Sequence, residues 1–495
     1  MKDIRVVLVY SPQVFLVDET PRPEGSLGLT YLAGTLRDAG IRVRIMDGCV
    51  GDVEDPLECS FYRREVLDDQ HVRVGLDEQT ICSRLADADI VGVTSLFTAQ
   101  TESAFAMARC AKTANPAAFT VAGGGNATAL WRRFLDNGYD AVVMGEGEHA
   151  IVNIARRVSC GQDLDGVANV AWRRPDGTVV LNPAQRVITD LDELPMPAWD
   201  LLPLKKYWQI GSPHGGAFAV GEEIRYGSME TSRGCPYRCS FCHNSKGGPE
   251  ARLRFKNLDR VLREVDVLRR LRVEYLFVED DSVLANKARV RSLLSSLVER
   301  RVKIVGANGV NLRDLFDRCE SGGFRVDVPL LETMASAGWV ELALPFESGS
   351  QRILDTYVSR KYRHTNYDFG ELIRAAARHG IRTYGFFTIG YPDETEDELR
   401  NTFLLAKRLV DEGLGEALFY IVTPYPGTAL YDFAVKNGYL DECQDLRDMK
   451  FARPNMRNTT VPGEVLSYSR RLAYHLINSP SVVRRKALAT IGTKE

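Results

Sequence analysis

Over the first 160 residues, short apolar runs alternate with amphipathic stretches. Ile4–Tyr10, Ile41–Met46, Ile90–Ser95, Ala118–Ala122 and Ala141–Met144 are rich in β-branched and small apolar residues, and read as strands buried on both faces. Leu27–Ala39, Thr80–Ala88, Glu102–Thr113, Thr128–Asn137 and His149–Val158 carry apolar residues three and four apart, the spacing of one helix face. Residues 50–75 are polar and irregular. The alternation predicts a doubly wound, Rossmann-like parallel sheet, an α/β architecture. Three strands end in small residues: Thr94-Ser95, Gly123-Gly124-Gly125-Asn126 and Gly145-Glu146-Gly147-Glu148. Ligands of such sheets lie over the carboxyl edge, where glycine lets the backbone approach them. Neither glycine cluster is a G-x-G-x-x-G after the first strand, which argues against a nicotinamide cofactor.

Asn169–Arg173 and Thr178–Leu181 flank Pro175-Asp176-Gly177 and predict a hairpin. The following Leu194-Pro195-Met196-Pro197-Ala198-Trp199-Asp200 suits a stiff, extended connector. A second series has strand runs at Tyr226–Thr231, Tyr275–Val278, Lys303–Val305, Glu341–Pro345, Thr383–Ile389 and Ala417–Val422, with helices such as Leu258–Leu271 and Lys287–Arg300 between them. Six such units predict a partial (β/α)6 barrel with its site at the strand carboxyl ends. A helix over Glu464–Ile477 and a solvated basic cluster, Arg484-Arg485-Lys486, follow. The expected divisions are 1–165, a hairpin and linker at 166–205, a barrel at 206–440 and a small, mostly helical region at 441–495.

Composition adds little: 44% hydrophobic and 26% charged residues are ordinary for a globular protein. A net charge of −3 disfavours nucleic acid as a partner. No apolar run reaches the roughly 18 residues of a membrane helix, and no signal-peptide pattern opens the chain, so a cytoplasmic protein is expected. Cysteine changes the picture. Cys49, Cys59, Cys82, Cys110, Cys160, Cys319 and Cys443 are scattered and read as small buried residues, but Cys235, Cys239 and Cys242 form a C-x3-C-x2-C cluster just after the first strand of the second series. Structural zinc takes four ligands, no second cysteine pair lies near, and His243 is too close to Cys242 to fold easily onto the same ion. Three soft thiolates suit an iron–sulfur cubane with one iron open to a small molecule.

Cys235-x3-Cys239-x2-Cys242, with Phe241 before the last cysteine, resembles the signature of radical S-adenosylmethionine (SAM) enzymes. The run Pro23–Ala33, the Gly123–Asn126 and Gly145–Glu148 turns and Leu191–Trp199 look like the cobalamin-binding branch, as do Val278–Asp281, Phe346–Ser350, Gly385–Pro392 and Thr423–Thr428. The resemblance implies that the three cysteines hold a [4Fe–4S] cluster whose open iron chelates SAM, and that an electron from a flavodoxin or ferredoxin splits SAM to a 5′-deoxyadenosyl radical. Phe241, Asp280, Asn308, Glu347, Thr423 and Tyr425 are the implied SAM contacts, Glu347 accepting from the ribose diol. Asp281 lies beside Asp280 and is a further candidate.

Ser95, Gly123, Gly124, Asn126, Gly145 and Glu146 are the implied cobalamin contacts. Asp69-x-His71 departs from the D-x-H-x-x-G motif of corrinoid proteins, so His71 reads as a solvated loop residue. Asn126 stands where related sequences carry histidine; water or nothing is expected below cobalt. The implied activity is methyl transfer, through methylcobalamin, to an unactivated carbon of a small-molecule, natural-product substrate. Alternatives are a cobalamin/radical SAM ring-forming or rearranging enzyme, a tRNA methylthiolation enzyme and a non-enzymatic corrinoid or electron carrier. Ile210–Val220 and Phe451–Val461, with Arg453 and Arg457, are the segments considered for substrate.

Overall fold

The computed structural model describes residues 3–492 except 24, 185–186, 212, 214–222, 321 and 442–443. Most of the expected segment from 210 to 220 thus lies outside the described residues, as does Cys443.

Five parallel strands form the first sheet in the spatial order Ala141–Val143, Phe119–Gly123, Ile90–Thr94, Arg5–Tyr10, Arg42–Asp47. The order reverses between Arg5–Tyr10 and Ile90–Thr94, so a crevice opens beyond Tyr10 and Thr94. The hairpin Val170–Arg173 and Val179–Leu181 adds to this sheet antiparallel to Ala141–Val143, so it extends the first domain. The stretch 50–75 is more ordered than its polarity suggested. His71–Val74 pairs with Gln13–Leu16 on one side and Arg64–Val66 on the other in a small antiparallel sheet, whose short apolar alternation is masked by interleaved arginine and glutamate. The helix expected over 128–137 is two, Gly125–Ala129 and Trp131–Asp136, broken at Leu130. Of the scattered cysteines, Cys49 and Cys110 are buried, whereas Cys59 and Cys160 are exposed.

Asp47, at the end of its strand, is wholly buried and accepts from Tyr207 Oη at 2.6 Å and the amides of Cys49 and Val50 at 2.8 and 2.9 Å. Burial outweighs these bonds and pushes its carboxyl up to about 6. The folded chain therefore holds a proton that the unfolded chain has released, and stability falls as pH rises from about 4 to about 6 and is level above. Asp47→Asn should remove that slope. Urea midpoints measured across this window test it; parallel profiles for the two proteins would refute the assignment.

The second sheet is six parallel strands in chain order: Tyr226–Met229, Tyr275–Val278, Lys303–Gly306, Trp339–Glu347, Arg382–Ile389 and Glu416–Ile421. Its last edge is not bare. Asn478, beyond the helix Gly463–Ile477, pairs with both main-chain groups of Ala417 at 2.7 and 2.9 Å, and the Phe451 carbonyl accepts from Ile421 N at 2.8 Å. The C-terminal region thus takes the place of a seventh strand and blocks edge pairing. Arg485 and Lys486 are about half exposed and lie 3.7 and 4.0 Å from Glu416.

Between the domains the connector is tied down. Trp199 is buried and donates to Ser228 O at 2.9 Å, and Ala198 N donates to Thr30 O at 2.9 Å. Glu146 and Glu148 of the first domain meet Arg233 of the barrel at 3.2 and 2.6 Å, and Arg254 meets Glu146 at 2.7 Å. Tyr31 lies under Lys256 Nζ, 4.8 Å from its ring centroid, and shares a hydrogen bond with it. These charges are almost fully out of water. Among the described residues no helix is long and apolar enough to cross a membrane.

Candidate functional site

The cysteine loop springs from the first barrel strand. A two-residue ladder, Ser232–Arg233 with Arg254–Phe255, closes it at the base. Asp280, at the end of the second strand, accepts from Thr231 N at 2.6 Å, from Thr231 Oγ1 at 2.7 Å and from Ser232 Oγ. Both its oxygens are thus committed to the root of the loop. Farther out, Ser240 N donates to Tyr357 O at 2.7 Å, Leu430 N to Ser240 O at 2.9 Å and Arg238 N to Ser359 Oγ at 3.0 Å, so main-chain bonds fix the loop from two neighbours.

Cys239 is buried, while Cys235 and Cys242 are partly exposed. Burial pushes all three thiols up, Cys239 to about 12; the charge of Cys242 adds to the rise at Cys239, and that of Cys235 to the rise at Cys242. Lys361 opposes this. Its ammonium faces Cys239 and Glu347, which hold it charged against its own burial, and it lies 5.7 Å from the centroid of the Tyr237 ring. Three thiols on one braced loop, with a cation facing one of them, suit an anionic, thiolate-held cluster by their chemistry, although among the described residues no three metal-ligating side chains are gathered into a metal site; binding a cluster would draw the thiols together and expel their protons.

Glu347 ends the fourth strand with φ at +61°, a left-handed conformation that costs a non-glycine residue about 1 kcal/mol or more. It is 7% exposed, and Thr388 Oγ1 donates to its Oε2 at 2.7 Å. Strain at a buried carboxylate beside the cysteines marks a residue aimed at something. Phe241 lies 6.3 Å from Tyr391, itself stacked on Tyr357 at 4.9 Å. Asn308 is exposed at the mouth and donates to Glu279 O at 2.6 Å; Asp281 is exposed too and meets Asn244 at 3.4 Å. Thr423 is buried and accepts from Asn455 at 3.0 Å; burial pushes the Tyr425 phenol up to about 12. Ser240 Oγ and Ser282 Oγ, both at this end of the barrel, are buried with no hydrogen-bond partner, as expected of a mouth shaped for a polar guest.

The first domain has its own prepared edge. Gly124 has φ +98°, and a Cβ there would lie 2.6 Å from Ser95 O. Asn126 Nδ2 donates to Ser95 Oγ and Thr101 Oγ1, each at 2.9 Å, whereas its Oδ1 is buried without a donor; Ser11 Oγ and Gln100 Oε1 are orphaned likewise. Gly123 leaves the sheet here, its carbonyl accepting from Ser95 N at 2.8 Å. Orphaned polar atoms along a bare glycine edge fit a large ligand rich in amides. Glu146 sits below this edge with its carboxylate engaged by Arg233, Arg254 and Ile188 N.

His71 is not solvated. It is 3% exposed, with Nδ1 at 2.9 Å from Asp68 and Nε2 at 3.2 Å from Asp448, so both nitrogens face carboxylates and neither is turned to a ligand. Arg457 is paired with Asp441 at 2.5 Å and Arg453 with Gln70. Lys361 had no sequence signal, since it stands on a loop at no distinctive spacing.

Residues 229–406 match the Radical SAM superfamily, and residues 14–155 the B12 binding domain. The chain belongs to the cobalamin-binding radical SAM enzymes. It is 27% identical over 483 residues to the cytidylyl-2-hydroxyethylphosphonate methyltransferase of Streptomyces wedmorensis, covering 90% of this chain and 84% of that one. It is 29% identical over 447 residues to an uncharacterized methyltransferase of Pyrococcus horikoshii, covering 89% and 85%. In fold it is similar to the radical SAM methyltransferase TsrM of Kitasatospora setae, solved with cobalamin and a [4Fe–4S] cluster: TM-score 0.66, 18% identity, 97% of this chain and 92% of that. The two matched domains make cobalamin, SAM and a [4Fe–4S] cluster this enzyme's cofactors.

Proposed function

We propose that this radical SAM enzyme transfers a methyl group to an unactivated carbon of a small molecule. The observation that carries the reading is the meeting of two edges. The segment after Cys242 crosses to the first domain, with His243 Nδ1 3.8 Å from where a Cβ on Gly125 would lie and Glu250 packed on Gly145. The cobalamin edge and the cysteine mouth thus share one seam. Cobalamin supplies a methyl carrier there, and the cluster with SAM supplies hydrogen-atom abstraction.

In this reading Cys235, Cys239 and Cys242 hold the cluster. Ser95, Gly123, Gly124, Asn126 and Gly145 line the cobalamin, while Glu146 acts by bracing the seam. Phe241, Asn308, Glu347, Thr423 and Tyr425 border SAM, while Asp280 acts by holding the loop root. A flavodoxin or ferredoxin delivers the electron; the partners are small molecules rather than nucleic acid.

The test is product analysis of the reduced holoenzyme with methyl-labelled SAM and candidate substrates. S-adenosylhomocysteine and 5′-deoxyadenosine together, with label in the product, are expected. Persistent absence of S-adenosylhomocysteine would favour ring formation or rearrangement, a reading kept in view by the 28% identity over 385 residues to the anaerobic magnesium-protoporphyrin IX monomethyl ester cyclase of Rubrivivax gelatinosus, of which the chain covers 64%. For Glu347 the expectation is that Glu347→Gln weakens SAM binding about tenfold, the usual loss for a charged acceptor, read by equilibrium dialysis. Unchanged affinity would remove it from the SAM site.

A further inference from the structure

We infer that Glu250 of the barrel is a cobalamin-binding residue, accepting hydrogen bonds from the carboxamide side chains at the rim of the corrin ring. The inference rests on cobalamin occupying the glycine-rich edge of the first sheet.

The loop that carries the three cysteines does not end at the cluster. It runs on through His243–Lys246 and Pro249–Ala251 before pairing back at Arg254–Phe255. That excursion brings Glu250 across the seam onto Gly145, one of the turns that edge the cobalamin site. Gly145 has φ +75°, and a Cβ there would overlap the Glu250 carboxylate, its Cδ being 3.1 Å away. The left-handed backbone favours glycine here, and a side chain would have to displace the Glu250 carboxylate. His243 lies at ordinary contact distance from the Gly125 turn, its Nδ1 3.8 Å from where a Cβ would stand.

The Glu250 carboxylate is strangely placed for a structural residue. Among the described residues no side chain or amide donates to it. Arg254 spends its Nη1 on Glu146 and the Ile188 carbonyl and reaches only the main-chain oxygen of Glu250, at 3.4 Å. Burial and the neighbouring Glu146 both raise its carboxyl, while His243 and Arg254 only partly offset them. A partly exposed carboxylate without protein donors, seated on a glycine turn at this edge, is free to accept hydrogen bonds from a ligand there.

The missing partner should bring N–H groups. The corrin rim carries neutral primary amides, each with two such donors, and a carboxylate is the strongest acceptor a protein can offer them. The same loop would then hold the cluster at one end and the corrin at the other.

The experiment uses the cluster-loaded chain and titrates hydroxocobalamin by its visible spectrum. Glu250→Leu should weaken binding about tenfold with iron content unchanged, and Glu250→Gln, which keeps an acceptor oxygen, by less than about threefold. Cobinamide, which has the ring amides but no nucleotide tail, should show the same ratios. Equal affinity for Glu250→Leu and the unaltered chain would overturn the inference, as would a loss seen with hydroxocobalamin and not with cobinamide. Loss of iron along with cobalamin would also count against it, placing Glu250 in the fold of the cysteine loop. If the unaltered chain binds no cobalamin at all, it is the cobalamin reading that fails.

Discussion

Cys239→Ala is expected to empty the cluster and abolish SAM cleavage while leaving cobalamin bound. Of the three thiols Cys239 is the buried one, 4% exposed, and it faces the Lys361 ammonium. Alanine leaves two cysteines on a loop that main-chain bonds still hold at Ser240. Two thiolates are too few to retain a cubane with one open iron. Iron should fall from about four per chain to below about one, and formation of 5′-deoxyadenosine by at least about 1000-fold, since only chelation at the open iron positions SAM for cleavage. The main-chain bonds at Ser240 hold the loop, and Glu250 farther along it, without the cluster, and the glycine edge lies on the first domain, so hydroxocobalamin affinity should change by less than about twofold. Cys160→Ala, an exposed cysteine outside the cluster, serves as the control and should alter neither. Iron and activity retained in Cys239→Ala would contradict the assignment of the cluster ligands.

Much of this was legible in the chain, for reasons that differ by region. The parallel strands carry unbroken apolar runs because both faces are covered, and Tyr275–Val278 falls where its pattern puts it. The cysteine spacing declares its chemistry because no ordinary packing demand produces it. What stayed hidden depends on long-range partners. His-Val-Arg-Val at 71–74 reads as loop until Gln13–Leu16 is known to lie beside it, and His71 is buried by Asp448, far along the chain. Asp280 and Glu146 have the look of site residues, but their oxygens are taken by Thr231, Ser232 and Arg254, which spacing along the chain does not reveal. Glu347 could be named from its place at a strand end; its left-handed backbone, the stronger sign, could not.

The second large effect is expected at the seam. Glu264 is fully buried, paired with Lys256 at 2.8 Å and Arg260 at 2.7 Å. Lys256 also donates to Glu230 O at 2.7 Å and bonds the Tyr31 hydroxyl of the first domain, while Arg260 donates to the Leu194 and Pro195 carbonyls of the connector at 2.6 and 2.9 Å. One carboxylate thus neutralises two cations that tie barrel, connector and first domain together. Glu264→Ala strands both charges away from water and should destabilise the chain by about 3–5 kcal/mol, seen as a lower urea midpoint. Lys256→Met with Glu264→Gln leaves only Arg260, which keeps its two carbonyls and an amide oxygen, and should recover most of the loss. If the double variant is as unstable as Glu264→Ala, mutual attraction rather than unpaired charge sets the cost. Function should divide along the same line. SAM cleavage needs only the barrel, whereas methyl transfer needs the two edges in register across the seam. In Glu264→Ala, 5′-deoxyadenosine should therefore persist at a temperature where the chain is still folded, while S-adenosylhomocysteine and methylated product decline. Equal loss of all three would show that the seam sets stability alone.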